Sequence, residues 1–109
     1  AKIPDHCRHN AHIFFILADS PDTEKELEKF MKSREIGVAQ HYAPLHLCPM
    51  ARRLGCDSRP LPVSETLSKT MLRLPIFSSI SRAEQDFVCD SLSEFFIGKR
   101  IPGARRAGH

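Results

Sequence analysis

The segment His41-Tyr42-Ala43-Pro44-Leu45-His46 concentrates the side chains that are best suited to bind a ligand. Two imidazoles and one phenol within six residues can donate and accept hydrogen bonds over a wide pH range. The segment follows a short apolar stretch typical of a strand, and ligand contacts in α/β folds gather at strand ends. His41, Tyr42 and His46 are therefore candidate ligand-binding residues. Their spacing fits equally well a half-buried core tyrosine beside a histidine at a sheet edge.

Two clusters of histidine and cysteine could supply zinc ligands, one near the start of the chain and one in the middle. They are His6, Cys7, His9 and His12, and His41, His46 and Cys48. Neither has the Cys-x-x-Cys or His-x-x-x-His spacing of a structural zinc site, so we expect no bound metal, and a zinc domain is the weakest alternative. Cys48 and His46 are also weak candidates for a nucleophile and its base, because no residue is placed to orient the imidazole.

The sequence offers few other routes to catalysis or to nucleic-acid binding. Its five glycines are isolated, which excludes a phosphate-binding loop, and no carboxylate pair stands out. The net charge of +3 arises in residues 99–109, which carry four basic residues and no acidic one. Residues 1–98 are nearly neutral, with twelve basic and thirteen acidic residues. We therefore expect a solvated basic tail rather than a face that binds nucleic acid.

The composition favours a reduced, cytoplasmic protein. The apolar run of residues 13–18 is far shorter than the ~20 residues of a membrane helix, and residues 1–6 lack the apolar stretch of a signal peptide. The chain does not begin with Met, which indicates a processed, engineered or partial polypeptide. Without a secretory context we expect four free thiols, those of Cys7, Cys48, Cys56 and Cys89.

Apolar patterning in the first half of the chain predicts a strand, a helix and a second strand. Residues 12–18 are apolar without alternation, which suits a strand covered on both faces. Ser20 and Pro21 then predict the start of a helix over residues 21–34, with Gly37 as its left-handed end. Residues 38–42 form the predicted second strand. This order resembles a right-handed crossover, although the spacing alone does not establish parallel pairing.

The second half of the chain predicts two further helices. A long irregular segment, residues 43–63, contains a short helical turn near Arg52, and a second helix begins at Ser64. Residues 72–77 read as a partial edge strand, because Pro is tolerated there. A capping box then opens a third helix, which should end at Gly98 and provide the main cover of the sheet. The box is Ser81-Arg82-Ala83-Glu84.

These elements predict one small α/β domain of the α+β type, a short sheet covered by about three helices. The length of 109 residues fits a single domain. We expect a linker at residues 1–10, the folded domain at residues 11–98, and a disordered basic tail at residues 99–109.

Residues 41–49 resemble a signature in the C-terminal domain of pyridoxal-phosphate-dependent nucleotide-sugar aminotransferases of the DegT/DnrJ/StrS group. The likeness extends over residues 3–96, with further matching segments in the right order. These are residues 10–15, 64–68, 72–77 and 80–88. Ile3-Pro4 with Cys7, and Pro44-Leu45-His46 with Cys48-Pro49, resemble the members that act on dTDP-4-keto-6-deoxy-D-glucose in enterobacterial common antigen synthesis, a pathway linked to lipopolysaccharide biosynthesis.

The resemblance implies the small C-terminal domain of a fold-type I enzyme that transfers an amino group from glutamate to the C4 ketone of a dTDP-4-keto-6-deoxy sugar. The family's cofactor lysine lies in a large N-terminal domain, so we expect no catalytic residue here, no cofactor on this chain alone and no activity. By position in the motif, His41, Tyr42 and His46 would bind substrate. Implied partners are the large domain, a second copy in a homodimer of the parent and a nucleotide sugar, with neither nucleic acid nor membrane.

A stand-alone interaction module is the main alternative to this enzyme fragment. Such a module would use the apolar face that otherwise docks on the large domain. Because that face is exposed in an isolated domain, self-association is expected in either case.

Overall fold

The computed structural model describes residues 2–56 and 59–100. The described residues form two strands, four α-helices and one 3₁₀ turn. In chain order these are β1 (Phe14–Leu17), α1 (Pro21–Ser33), the 3₁₀ turn (Leu45–Leu47), α2 (Pro49–Arg53), α3 (Pro62–Thr70), β2 (Met71–Leu74) and α4 (Arg82–Arg100). The α+β class predicted from sequence is confirmed. No helix in residues 2–56 and 59–100 is long and apolar enough to cross a membrane.

The sheet has two antiparallel strands, and an isolated bridge adds a contact on the other side of β2. β1 pairs with β2 in the register Phe14 to Leu74 and Leu17 to Met71. On the other side of β2, Ala39 forms an antiparallel bridge to Arg73, with backbone N–H···O distances of 3.2 and 2.8 Å. The predicted strand at residues 38–42 is thus reduced to one bridge. A parallel crossover onto β1 is not formed, because the stretch after β1 and α1 reaches β2 instead.

The prediction that residues 72–77 form a partial edge strand is confirmed in part, because β2 is one of the two strands of the sheet and covers residues 71–74. β2 ends at Leu74, one residue before Pro75, and both of its sides carry partners. Pro75 has no backbone N–H to donate, so it is tolerated immediately after the ladder ends.

The hydrophobic core lies on one face of the sheet. α1 contributes Leu27 and Met31, the loop after it contributes Ile36 and Val38, and β2 contributes Leu72 and Leu74. Val88, Leu92 and Phe95 of α4 pack against this cluster from outside. Because strand residues alternate between faces, the residues of β2 between and beside these leucines point to the other face.

β1 is not covered on both faces, contrary to the prediction for residues 12–18. It has four residues, and Phe14 and Leu17 at its ends are 59% and 53% exposed. An apolar run without alternation indicates burial on both sides only where a second layer exists. In the part of the chain that the structure describes, helices cover the sheet incompletely.

The first helix has the predicted start and a different end. Ser20 caps it, with its Oγ accepting the backbone N–H of Thr23 at 3.1 Å. At the other end Glu35, with φ of 59°, takes the left-handed position that was predicted for Gly37. The Ile36 N–H then bonds to the Met31 carbonyl and the Glu35 N–H to the Lys32 carbonyl, the pattern of a Schellman motif.

The last helix begins at the predicted capping box and outruns its predicted end. Glu84 N–H donates to Ser81 Oγ at 3.2 Å, and Ser81 N–H donates to Glu84 Oε2 at 2.7 Å. α4 passes through Gly98 and continues to Arg100. Lys99, predicted as part of the tail, forms an ion pair with Glu26 of α1 at 2.7 Å. The rest of the predicted tail, residues 101–109, lies outside the described residues.

The segment between the bridge at Ala39 and α3 contains a 3₁₀ turn and a short helix rather than a simple loop. The predicted helical turn near Arg52 is present as α2, and the second helix starts at Pro62, two residues before the predicted Ser64. Pro at the first helical position has no orphan N–H and a backbone angle suited to a helix, which explains the earlier start. These elements hold the residues that follow the bridge at Ala39.

Candidate functional site

His41 and Tyr42 follow the bridge that joins Ala39 to Arg73 of β2. The Arg73 guanidinium donates from Nη1 to His41 Nδ1 at 2.9 Å. The rings of His41 and Tyr42 stack with centroids 4.7 Å apart and an interplanar angle of 26°. The peptide bond between them is cis. Two of the three predicted site residues are therefore together, joined by an arginine from the neighbouring strand.

This group lies on the sheet face opposite the core. Arg73 is paired across the strands with Phe15, whereas its neighbours Leu72 and Leu74 are buried in the core. Since successive residues of a strand point to opposite faces, Arg73 points away from the helices α1 and α4. Tyr42 is 75% exposed. The cluster of His41, Tyr42 and Arg73, called here the sheet-face cluster, is open to solvent or to a partner.

The sheet-face cluster is rich in hydrogen-bond donors and carries a positive charge. Within the described residues, Arg73 forms no ion pair, and its one side-chain hydrogen bond is to His41. Its other N–H groups, and the hydroxyl of Tyr42, are without a protein partner in that part of the chain. Guanidinium and phenol groups in this arrangement suit oxygen-rich or anionic ligands, such as phosphates and sugar hydroxyls.

His46 is placed apart from the sheet-face cluster, and its imidazole bonds to a carboxylate. It lies in the 3₁₀ turn, its side chain is 10% exposed, and its Nε2 is 2.9 Å from Oε1 of Glu65 in α3. The same Glu65 oxygen accepts the backbone N–H of Leu61 at 3.1 Å. We call this pair the turn clamp, because it ties the 3₁₀ turn to the first turn of α3.

The hydrogen bonds of the turn clamp act on the acidity of Glu65. The bond from His46, followed by that from the Leu61 N–H, lowers the pKa of the Glu65 carboxyl, since both favour its charged form. No hydrogen bond or ring contact among the described residues joins His46 to His41 or Tyr42. The three predicted site residues therefore divide into two groups.

The two sequence-based alternatives for chemistry find no support in the geometry. The Sγ of Cys48 donates to the Pro44 carbonyl at 3.5 Å rather than to His46, so the pair forms no nucleophile and base. His9 and His12 stack on each other near the start of the chain. In residues 2–56 and 59–100, no three His, Cys, Asp or Glu side chains come close enough to hold a metal ion.

Arg73 and Glu65 are the site residues that sequence reasoning missed. Arg73 lies 32 residues from His41 and Glu65 lies 19 residues from His46. One signal was present, because an arginine inside the apolar stretch Met71–Leu74 needs a polar partner or an open face. The partner itself depends on the antiparallel bridge, which no local pattern specifies.

Comparison with known proteins gives a family context for this geometry. The profile of the DegT/DnrJ/EryC1/StrS aminotransferase family matches residues 1–93. The chain belongs to this aminotransferase family. The two sites just described, the sheet-face cluster and the turn clamp, both lie within the matched residues.

Several curated proteins resemble this family member. It is 34% identical over 89 residues to a pleiotropic regulatory protein of Geobacillus stearothermophilus, covering 81% of this chain and 23% of that protein. It is 25% identical over 91 residues to GDP-perosamine synthase of Escherichia coli O157:H7, covering 84% of this chain and 24% of that enzyme. The chain thus spans about a quarter of the length of the relatives it matches.

Solved structures show the same fold. The aminotransferase TlmJ from Streptoalloteichus hindustanus superposes with a TM-score of 0.81 at 17% identity, covering 93% of this chain and 26% of that one. The sugar aminotransferase Spr1654 from Streptococcus pneumoniae, in its PMP form, gives a TM-score of 0.70 at 19% identity, covering 80% of this chain and 22% of that one. In both, the similarity covers one portion of a longer enzyme.

The residues present do not fit a pyridoxal phosphate site of their own. All six lysines, which are Lys2, Lys25, Lys29, Lys32, Lys69 and Lys99, are exposed, and none lies in the sheet-face cluster. Such a site needs a lysine to hold the cofactor and a partner for its pyridine nitrogen, commonly an aspartate. The sheet-face cluster contains neither a lysine nor a carboxylate, so we derive no catalytic step through the cofactor on this chain.

An apolar groove adds a second feature to this aminotransferase domain. It has a volume of about 590 Å³ and opens between β1, the residues after β2 and α4. Phe14, Ile76 and Val88 are among the residues that line it. Phe77 and Phe87 nearby in sequence are about half exposed. Contiguous exposed apolar surface of this kind is typical of sites where proteins or ligands bind.

Proposed function

We propose that this chain is the small C-terminal domain of a pyridoxal-phosphate-dependent nucleotide-sugar aminotransferase and is inactive alone. The observation that carries the proposal is the donor-rich sheet-face cluster, open on a family domain that has no lysine site. Such donor groups would serve an enzyme in which one domain holds the cofactor and this second domain contacts the substrate. The match to about a quarter of the relatives supports the same division of labour.

In this proposal the substrate-binding residues are His41, Tyr42 and His46. His41 and Tyr42 present an imidazole and a phenol beside Arg73, which suits the hydroxyl and phosphate oxygens of a nucleotide sugar. His46 would act from the turn clamp, where Glu65 fixes its position. The chain's residues bind and orient, while the cofactor supplies the electron sink for amino transfer from its place in the large domain.

We propose a dTDP-4-keto-6-deoxy sugar as substrate, aminated at C4 with glutamate as donor, in enterobacterial common antigen and lipopolysaccharide synthesis in the cytoplasm. The names of relatives support a nucleotide sugar in general. One is GDP-perosamine synthase, and another, 26% identical over 91 residues, is dTDP-3-amino-3,4,6-trideoxy-alpha-D-glucose transaminase of Micromonospora megalomicea. The dTDP preference rests on the motif at Pro44-Leu45-His46 and Cys48-Pro49.

The partner proposed for this domain is the large N-terminal domain, in a parent that forms a homodimer. Two features support a missing partner. The buried apolar core consists of only six residues among those described, and the groove beside Phe14 and Val88 leaves apolar surface open. A domain of this size with so small a core gains stability when a companion covers such a surface.

The experiment is an amino-transfer assay on the purified chain with pyridoxal phosphate, glutamate and the dTDP-4-keto-6-deoxy sugar. We expect amino transfer in the presence of the chain to be no faster than in a reaction that contains the cofactor but no protein. After borohydride treatment, mass spectrometry should find no single lysine labelled in preference to the others, because all six are exposed. A protein-dependent rate, or stoichiometric labelling of one lysine, would contradict the proposal.

A stand-alone interaction module is the second candidate, favoured by the same apolar groove. The two candidates differ in what the groove binds, a separate protein or the large domain of the same enzyme. Sedimentation of the chain at several concentrations tests the shared premise, since an uncovered apolar face promotes self-association. A chain that stays monomeric at every concentration would count against both forms of docking.

A further inference from the structure

The hydrogen bond between Arg73 and His41 constrains where the imidazole can carry its proton. Arginine stays charged in proteins and its guanidinium can only donate. In the bond from Nη1 to Nδ1, at 2.9 Å, His41 Nδ1 must therefore supply a lone pair. Both the imidazolium and the tautomer protonated at Nδ1 lack that lone pair. The single form compatible with the contact is the neutral ring protonated at Nε2.

We propose that Arg73 is a positioning residue, which holds His41 neutral and protonated at Nε2 so that this nitrogen serves as a donor. The ring plane is set by a second contact, the stack on Tyr42 with centroids 4.7 Å apart. Arg73 itself is fixed by the backbone, because its N–H and carbonyl both bond to Ala39. One residue thus sets the proton position and another sets the plane.

The surroundings of the pair strengthen this assignment. Arg73 forms no ion pair with a described residue, so its charge is not neutralised beside the imidazole. Its cross-strand neighbour Phe15 and its bridge partner Ala39 are apolar. No carboxylate among the described residues bonds to either side chain, so none competes with His41 Nδ1 for the guanidinium donor.

This assignment rests on the proposed function for one statement, that His41 faces substrate, and it then names the chemistry at that point. His41 Nε2–H would donate to an acceptor oxygen of the sugar nucleotide, such as a carbonyl, hydroxyl or phosphate oxygen. Among the described residues Nε2 has no other partner.

The test is ¹⁵N NMR of the isotopically labelled 109-residue chain, with no substrate present. We expect the His41 ring to show an unprotonated Nδ1 and a protonated Nε2, with a scalar coupling across the hydrogen bond to an Arg73 guanidinium nitrogen. In Arg73→Met, which keeps the stem and removes the donors, the coupling should vanish and the two nitrogens should move toward a tautomer mixture. Arg73→Lys, which retains a charged donor, should restore much of the unprotonated Nδ1 signature.

Arg82→Met is the matched control, because Arg82 is an exposed arginine of α4 whose guanidinium pairs with Asp86 and not with His41. It should leave the His41 signals unchanged. Methyl signals of Leu72 and Leu74 report whether each variant is folded. A proton on Nδ1 in the wild-type chain, or His41 signals identical in Arg73→Met and wild type, would overturn the assignment.

The wild-type measurement alone decides the question if Arg73→Met does not fold. The result is also independent of the amino-transfer assay, which uses a different readout. A failed tautomer prediction would leave the proposed function standing, whereas a lysine-bound cofactor would remove the proposed function and leave the tautomer assignment intact.

Discussion

His41 and His46 lie five residues apart in one segment, yet their side chains meet partners of opposite charge. His41 accepts a hydrogen bond from the Arg73 guanidinium and stacks on an exposed tyrosine. His46 is almost buried and pairs with the Glu65 carboxylate. The sheet-face cluster is open and donor-rich, whereas the turn clamp closes a contact between two parts of the backbone.

The comparison shows that the partner, more than the residue type, decides what a histidine can do. A carboxylate accepts a hydrogen bond from an imidazole in its neutral or its charged form, so the turn clamp tolerates either state of His46. Arg73 accepts nothing, so the contact with His41 exists for one form only. The turn clamp therefore holds His46 in place in either state, whereas the contact with Arg73 selects a single form of His41.

The largest effect should come from His46→Ala. It removes an almost buried side chain and leaves Glu65 Oε1 with the Leu61 N–H alone. We expect the free energy of unfolding to fall by about 0.5–3 kcal/mol, the usual range for a destabilising substitution, because the packing of the ring and its hydrogen bond are both lost. His41→Ala, the matched control, should cost less than half as much, because its ring is partly exposed. Urea unfolding followed by circular dichroism measures both, and equal losses would remove the distinction between the two histidines.

A second carboxylate, that of Glu24, tests whether burial without a partner shifts a carboxyl pKa in the direction opposite to the shift in the turn clamp. Glu24 of α1 is 1% exposed, and its Oε1 has no hydrogen-bond partner among the described residues. Burial, followed by repulsion from Glu28, raises the pKa of its carboxyl. The folded state then binds more protons than the unfolded state, so stability is lost as pH rises through the raised pKa.

Glu24→Gln should therefore unfold at a higher urea concentration than wild type at neutral pH, since it removes the buried charge and keeps the side-chain shape. In acid, where Glu24 is protonated, the two proteins should converge. Glu26→Gln is a control on the same helix, because Glu26 is exposed and loses only a surface ion pair with Lys99, which should change stability little. A neutral-pH loss of stability in Glu24→Gln would show that the charged form is stabilised by a contact that the structure does not reveal.

Glu65→Gln tests the turn clamp through its pH dependence, with the opposite sign. The pKa of Glu65 is lowered, so the unfolded state binds more protons in acid, and the stabilisation is present above the ordinary carboxyl pKa. It should be lost as pH falls through the lowered pKa. The free energy of unfolding, measured over a series of acidic pH values, should depend less on pH for Glu65→Gln than for wild type. The same pH dependence in both proteins would mean that protonation of Glu65 is not coupled to folding.

The smallest effect on stability should come from Tyr42→Phe. Tyr42 is 75% exposed, and its hydroxyl has no partner in the described part of the chain, so we expect a change within about 0.5 kcal/mol. Tyr42→Ala, which also removes the ring stack on His41, should cost more. If the proposed parent enzyme acts on a nucleotide sugar through this site, loss of the hydroxyl should raise the KM for that sugar. A Tyr42→Phe chain that is strongly destabilised would place this hydroxyl in the fold rather than in the site.

Local signals predicted the local features of this fold. Ser20 with Pro21 and the box from Ser81 to Glu84 each mark a helix start that the structure confirms. These motifs work because the capping side chain and the N–H groups it satisfies lie within one turn. Residues 12–18 likewise contain β1, although two-sided burial was wrong.

Features that depend on distant partners were predicted less well. The spacing of residues 38–42 did not decide between β1 and β2 as a neighbour, and the left-handed helix end fell on Glu35 rather than Gly37. The candidate residues His41, Tyr42 and His46 were visible as residue types. Their partners Arg73 and Glu65 were not, because each contact joins segments that approach only after the sheet and the turn have formed.

The central claim is that the sheet-face cluster completes a site whose cofactor lies in a larger polypeptide. The most direct test is the mass of the native polypeptide that contains this sequence, read from its peptides in size-fractionated extracts of the source cells. We expect these peptides in a protein about four times the 12.3 kDa of this chain, together with peptides of a lysine-bearing aminotransferase domain. Peptides confined to a 12.3 kDa protein that catalyses amino transfer without a second chain would contradict the account.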